Sequence, residues 1–479
     1  MRDKILSNLI WRFMERIGAQ GISFIVQIVL ARILVPEYYG MVALVTVFIT
    51  ILQVFVDSGL GNALIQKEDA DNTDFSTVFY FNMIMCVCLY VLLFISSPWI
   101  AQFYNDIEMI PIIRVVGLNL VVSGIKNVQQ AYVARNMLFK KFFFATLGGT
   151  LVSAVIGISM AYLGAGVWAL VVQQLSNTFI DTIVLWITVK WRPEFVFSKS
   201  RFKILFSFGW KLLVSSLINT VYLDIRQLII GKRYSQEHLA YYNQGEKIPN
   251  LVVRNIDTAI GSVMFPALSK EQKNPELVKA HVRRAIKISS YVMWPMLLGI
   301  SACAESLIKL VLTDKWLPAV PYLQIACFVY GLMPIHTTNL QAITAMGRSD
   351  LFLKMEILKK IIGVTVLLLA MPYGVLAIAA SAILADIIGA FINAWPNTRL
   401  LNYRYTEQIK DIMPPLLLAS VMAIIVCQIN RLGLSTVLTL MIQIPTGAGI
   451  YLLGSALFKL DSLSYLLASA KQVRNQMKK

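Results

Sequence analysis

Acidic residues are scarce in this chain. Only 26 Asp and Glu stand against 43 Lys and Arg, and the four charged types together make up 14% of 479 residues. A soluble globular domain carries about 25% charge, so the shortage excludes an ordinary water-exposed surface. Histidine is nearly absent, with three copies: His238, His281 and His336. The first two fall in polar junctions; His336 stands in an apolar run beside Pro334, where packing or a kink is the expected role. The five cysteines, Cys86, Cys88, Cys303, Cys327 and Cys427, all lie in apolar runs without metal-ligand spacing and read as packing residues. The sequence holds no phosphate-cradling loop, nucleophile elbow or metal motif. Enzyme activity, a metal site and a cofactor are therefore not expected. Nor is nucleic acid, despite the net charge of +17, because no compact basic domain exists to hold it.

What the chain has instead is hydrophobic length. Apolar residues make up 57% of it, in runs long enough to cross a bilayer as helices. Fourteen spans are expected, at about 11–33, 41–65, 78–101, 110–134, 142–163, 166–189, 205–231, 241–268, 286–312, 318–346, 352–371, 374–396, 411–430 and 433–458. Open strands are excluded because lipid leaves their backbone groups unsatisfied, and the runs are too long for barrel strands. The opening stretch, residues 1–20, is too polar for a cleaved signal peptide and reads as an amphipathic lead-in to the first span.

Odd-numbered junctions are short and poor in cations: Arg32, Lys232, Arg233, Lys315 and Arg431 are the five on that side. Even-numbered junctions are longer and basic, Trp191–Lys203 and Lys270–Lys287 most clearly. The positive-inside rule then places both termini in the cytoplasm.

The chain also repeats itself. At an offset of 200 residues, Gln27 matches Gln227, Arg32 matches Lys232, Glu37 matches Glu237, Asp57 matches Asp257 and Gly61 matches Gly261. Further on, VQQAYVARNMLFK resembles NLQAITAMGRSDLFLK, pairing Gln130 with Gln341, and GVWAL from Gly166 resembles GVLAI from Gly374. This organisation predicts an all-α polytopic membrane protein. Residues 1–195 and 196–400 form two six-helix lobes in parallel orientation; 401–479 add two helices and a basic tail for the anionic surface.

Seven cations are reckoned inside spans: Arg114, Lys126, Lys211, Arg226, Lys247, Arg254 and Lys309. At roughly 3 kcal/mol each, lipid exposure of all seven would cost about 20 kcal/mol, so most must face water, an acid or an anion. Lys309 has Glu305 four residues earlier and reads as structural; Arg254 can pair with Asp257 on one helix face. A cationic cavity between the lobes is expected, with Arg226, Lys247 and Arg254 on one wall, Lys126 and Arg114 on the other, and Lys211 near the basic end. Such a cavity favours an anion such as a diphosphate. The intramembrane acids Asp57, Asp181, Asp224, Asp257 and Asp386 are candidates for a coupling ion or for gating, although Asp57 and Asp257 also suit local pairing. Glu37 and Glu237 suit caps of the following helices.

At ARILVPEYYG (Ala31–Gly40) and DSGLGNALIQK (Asp57–Lys67) the sequence resembles bacterial oligosaccharide flippases of the polysaccharide-transport family. That family belongs to the multidrug/oligosaccharidyl-lipid/polysaccharide (MOP) exporter superfamily, and the resemblance covers nearly the whole chain. It implies translocation of undecaprenyl-diphosphate-linked oligosaccharides from the inner to the outer leaflet of the bacterial cytoplasmic membrane. The cargo would serve O-antigen, exopolysaccharide or cell-wall polymer export. The last two helices would form a groove for the lipid tail, and the expected partners are membrane lipid and polymerase or export machinery around a monomer. A cation-coupled multidrug exporter is the alternative within the superfamily, disfavoured because Lys and Arg repel cationic drugs. A membrane polysaccharide polymerase is a third reading, which the short odd-numbered junctions argue against.

Overall fold

The computed structural model describes residues 2–57 and 59–476. Ser58 of the DSGLGN turn, the end of the basic tail and most side chains of the polar lead-in lie outside the described residues. No strand occurs among the described residues. The first helices are α1 (Arg2–Ile33), α2 (Pro36–Asp57), α3 (Leu60–Gln66), α4 (Asn72–Tyr104), α5 (Met109–Arg135), α6 (Phe139–Tyr162), α7 (Val167–Thr188), α8 (Lys199–Arg233) and α9 (Gln236–Lys270). Then follow α10 (Pro275–Ala302), α11 (Ala304–Val311), α12 (Val320–Gly331), α13 (Met333–Ala345), α14 (Ser349–Ala370), α15 (Val375–Leu400), α16 (Tyr405–Gln428), α17 (Thr436–Leu457) and α18 (Asp461–Gln476).

Every expected span is helical, but not every span is one helix. The second breaks at Gly59, whose φ of 67° ends α2; a Cβ there would stand 2.9 Å from the Gly209 carbonyl oxygen. The ninth breaks at Cys303 and the tenth at Leu332, just before Pro334. Twelve helical segments among the described residues are long and apolar enough to cross a membrane. The first span offers only the shorter apolar stretch Gly18–Ile33. The eleventh, α14, is not among the twelve, because Lys354, Glu356, Lys359 and Lys360 interrupt its apolar run. These three lysines fall within the expected eleventh span, outside the seven cations reckoned above, and are carried on a continuous helix.

Two compact units divide at Ala240 and Tyr241. In the first, α6 packs along α7 and α1, α5 sits against α4, α7 and α2, and α8 lies along α2 and reaches α3 and α4. The α7–α8 linker is bound to the start of α4. The Trp191 indole donates to Asn72 Oδ1 at 2.6 Å, Ser76 Oγ accepts from the Glu194 amide at 2.9 Å, and Arg201 pairs with Asp71 and Asp74. Asp71 also caps α4 in a reciprocal box with Asp74. Its hydrogen bond to Arg201 holds the Asp71 carboxyl below the usual carboxylate range.

The second unit is built on α10, which packs against α16, α12 and α13, while α14 pairs with α15 and α17 with α16. Its core surrounds the fully buried Trp294. On the side of the basic junctions, Asp411 accepts from Arg283 Nε at 2.7 Å and from the Tyr403 hydroxyl at 2.8 Å, and lies 3.5 Å from Lys287 Nζ.

Gly40, in the VPEYYG stretch, sits where the helix surface of α2 meets the first turn of α9. A Cβ on Gly40 would stand 1.8 Å from the Gln236 carbonyl oxygen, a backbone atom that cannot rotate away. Gly40→Ala is expected to cost about 3 kcal/mol, read as a lowered melting temperature of the detergent-purified protein. An unchanged melting temperature would show that the two segments separate freely at this point.

Candidate functional site

The intramembrane cations divide by what faces them. In the first unit, Lys126 Nζ lies 3.0 Å from Asp181 Oδ2, with side chains 17% and 10% exposed. Neither charge would be tolerable there alone, so the pair holds α5 to α7. The other Asp181 oxygen is buried without a protein hydrogen bond. Arg114 donates from Nε to Ser97 Oγ at 3.0 Å, and its guanidinium lies 4.1 Å from the centre of the Phe94 ring. Lys211 is exposed near the start of α8.

Arg226 differs from these. It is half-buried on α8, its Nε is enclosed without a hydrogen-bond partner, and no carboxylate comes within ion-pair reach among the described residues. The nearby acid, Asp224, accepts from Gln227 Nε2 at 2.8 Å instead. A buried guanidinium nitrogen left unpaired is costly in protein, and an anion would remove that cost.

In the second unit, Lys247 is half-buried and Arg254 exposed, both on α9. The pair expected between Arg254 and Asp257 does not form, because Asp257 accepts from the Thr337 hydroxyl on α13. Arg254 has no carboxylate within ion-pair reach among the described residues. Lys309 pairs with Asp314 at 3.2 Å and not with Glu305. Lys247 is flanked by the Tyr242–Glu246 hydrogen bond of 2.7 Å and the Asn250–Tyr330 hydrogen bond of 2.8 Å.

The remaining acids are also placed. Asp57 accepts from Asn127 Nδ2 at 3.0 Å and from Gln53 Nε2 at 3.4 Å. Asp386 lies 3.5 Å from His336 Nε2, and Asn393 Nδ2 is 2.8 Å from His336 Nδ1. His336 is thus a hydrogen-bonded member of a buried polar cluster, more than the packing residue its apolar surroundings suggested. Asn339, Asn397 and Gln408 form a second buried cluster, closed by amide hydrogen bonds of 2.7 Å. Only pairing across 50 to 69 residues brings these groups together, so no sequence-local signal announces them. Glu37 and Glu237 stand in the first turns of α2 and α9, favourable positions for acids.

An apolar groove of about 490 Å³ runs between α10, α16 and α17. Met296, Ile300, Met422, Val426, Ile444 and Leu452 line it, with Gln443 at one side. Gln443 Nε2 donates to Val426 O and Asn430 Oδ1, at 3.2 and 2.9 Å, while its Oε1 is enclosed without a partner; the rest of the named lining is apolar. An extended hydrocarbon suits it.

Comparison with known proteins bears on the family and the fold. Residues 29–321 match the family described as polysaccharide biosynthesis protein. The chain is 28% identical to the teichuronic acid biosynthesis protein TuaB of Bacillus subtilis over 413 residues, 84% of each chain. It is 22% identical to the lipopolysaccharide biosynthesis protein WzxC of Escherichia coli over 428 residues, 88% of this chain and 86% of that one. Among solved structures, it resembles the lipid II flippase MurJ in an inward closed conformation, with a TM-score of 0.77 and 13% identity over 95% of this chain and 100% of that one. An inward-facing MATE multidrug transporter of the MOP superfamily gives a TM-score of 0.60 at 15% identity, over 82% of this chain and 98% of that one. At such identities the structural likeness speaks for fold alone. The match over most of the sequence goes further: this multi-pass membrane protein is a member of the polysaccharide biosynthesis protein family.

Proposed function

We propose that the chain is a flippase for undecaprenyl-diphosphate-linked oligosaccharides, moving them from the inner to the outer leaflet of the bacterial cytoplasmic membrane for O-antigen, exopolysaccharide or cell-wall polymer export. Arg226 carries the reading. An arginine inside a span, with an enclosed nitrogen that no protein group satisfies, calls for a transient anion, and the diphosphate of a lipid-linked sugar is one that belongs in a membrane. Arg254 and Lys247 extend the cationic path. Lys126 would have to leave Asp181 to meet the same anion, while Arg114 and Lys211 serve nearer the two ends. The apolar groove beside α16 and α17 suits the polyprenyl tail.

The cargo moves without covalent chemistry, as the passage opens alternately to the two faces of the membrane. Lobes 1–195 and 196–400, with 401–479 as the tail-binding addition, are the moving parts in this scheme, and both termini lie in the cytoplasm. Of the acids available for coupling, Asp181 is engaged by Lys126, whereas Asp57, Asp224 and Asp257 accept from neutral side chains. Asp386 lies beside the imidazole of His336. The chain acts as a monomer and passes its cargo to a polymerase at the outer face. Multidrug export is disfavoured, because uncompensated Arg226 and Arg254 repel cationic drugs.

The test is transfer across a vesicle membrane. Purified protein, reconstituted with lipid-linked oligosaccharide from cells lacking the gene, should expose the inner-leaflet glycan to an external glycosidase. Vesicles that keep the glycan protected, yet extrude a cationic dye, would replace this reading with the multidrug one.

A further inference from the structure

The three residues that the internal repeat pairs most clearly, Asp57 with Asp257, Gly61 with Gly261 and Gln130 with Gln341, occupy one place in each unit. In the first unit all three border a cavity of about 390 Å³ formed by α2, α3, α5 and α6. Asn62, Asn127, Phe139, Phe142 and Thr146 complete most of its wall. Asn127 bridges its floor, donating to Asp57 at 3.0 Å, and a Cβ on Gly61 would stand 3.4 Å from Asn127 Oδ1. In the second unit, a Cβ on Gly261 would stand 3.4 Å from Gln341 Nε2, and Asp257 accepts from Thr337, one helical turn before Gln341. A carboxylate, a glycine that keeps the wall open and an amide have thus been kept together in both halves.

The cavity's chemistry selects its occupant. No Lys or Arg lines it. The cations adjoining the lining residues in sequence are engaged elsewhere: Lys126 with Asp181, Arg135 with the carbonyl oxygens of Leu64, Lys67 and Glu68, Lys140 over the Trp11 ring, and Lys141 with the Thr188 carbonyl oxygen. The Asp57 carboxylate would repel a phosphate. The amides of Asn62 and Gln130 have no hydrogen-bond partner among the described residues and offer both donors and acceptors. Planar amides and a carboxylate match vicinal hydroxyls, and the Phe139 and Phe142 rings suit the C–H face of a sugar. The volume is at the small end of ligand sites, which suits one sugar residue better than a whole repeat unit.

We propose that this cavity is a glycan subsite: Asp57, Asn62, Asn127 and Gln130 bind the hydroxyls of one neutral pyranose residue of the cargo, apart from the cations that meet its diphosphate. The proposal rests on the flippase reading and adds a site where sugar identity is sensed. An unmatched sugar would leave these polar groups unpaired beneath the seated cargo, which gives stronger discrimination than apolar contact can.

The test uses the full-length protein in detergent and two probes: undecaprenyl diphosphate, and the lipid-linked oligosaccharide that accumulates in cells deleted for the gene. Wild type should bind the glycan-bearing probe more tightly. Asn62→Ala and Gln130→Ala should each weaken that binding about tenfold, the worth of one hydrogen bond lost from a matched site, and leave undecaprenyl diphosphate unaffected. Asn62 is exposed on the short α3, so its variant keeps the test open if Gln130→Ala folds poorly. Equal losses on both probes, no loss on either, or wild type that binds the two alike, would overturn the subsite while leaving the flippase reading standing. Wild type that binds neither probe would overturn both.

Discussion

Arg226→Ala is expected to lower polymer export at least thirtyfold, about 2 kcal/mol for truncating one side of a charge-assisted contact in a water-poor site. Protein level and melting temperature should stay near wild type, because no protein group bonds the Arg226 Nε that is removed. The measurement is surface polymer per cell in a deletion strain carrying the variant, normalised to protein in the membrane. Arg226→Lys should recover only part of the activity, since an ammonium cannot reproduce the planar fork that grips two phosphate oxygens. Full export by Arg226→Ala would remove Arg226 from the cargo path.

Lys126→Ala is expected to act on folding before it acts on transport. It leaves Asp181, only 10% exposed at the side chain, as an uncompensated charge inside the α5–α7 contact. Removing one partner of such a pair costs about 3–5 kcal/mol, so the variant should be scarce in the membrane. Lys126→Met combined with Asp181→Leu removes both charges and should restore the protein level. Export by that double variant is then informative. Near-normal export makes the pair a structural tie, and lost export at full protein level returns Lys126 to the cargo path.

The contrast between these two cations shows how far the sequence could be read. Spans of twenty apolar residues are legible because the bilayer demands that length, and the paired positions around Asp57 and Asp257 are legible because polar residues are rare there. Local partners were read less well. Spacing allowed Arg254 to pair with Asp257 and Lys309 with Glu305, yet Thr337 engages Asp257 and Asp314 engages Lys309. Lys126 and Asp181 are 55 residues apart, and nothing in either neighbourhood specifies the other. The Asp386–His336–Asn393 cluster was hidden for the same reason. It depends on helix packing, whereas length, hydropathy and charge sidedness are properties of each segment taken alone.

The lysines of α14 bear on how the chain is made. A membrane-insertion machine reads each segment as it emerges, and every charge near the centre of a helix opposes transfer into lipid by about 3 kcal/mol. With Lys354, Glu356, Lys359 and Lys360 between its start and its middle turn, α14 is a weak candidate for independent integration; the Lys359–Glu356 pair offsets only part of the penalty. The strongly apolar α15 follows after the tight turn at Met371–Tyr373. Integration of this region is therefore expected to be a joint event, in which α14 enters the bilayer together with α15 as a hairpin.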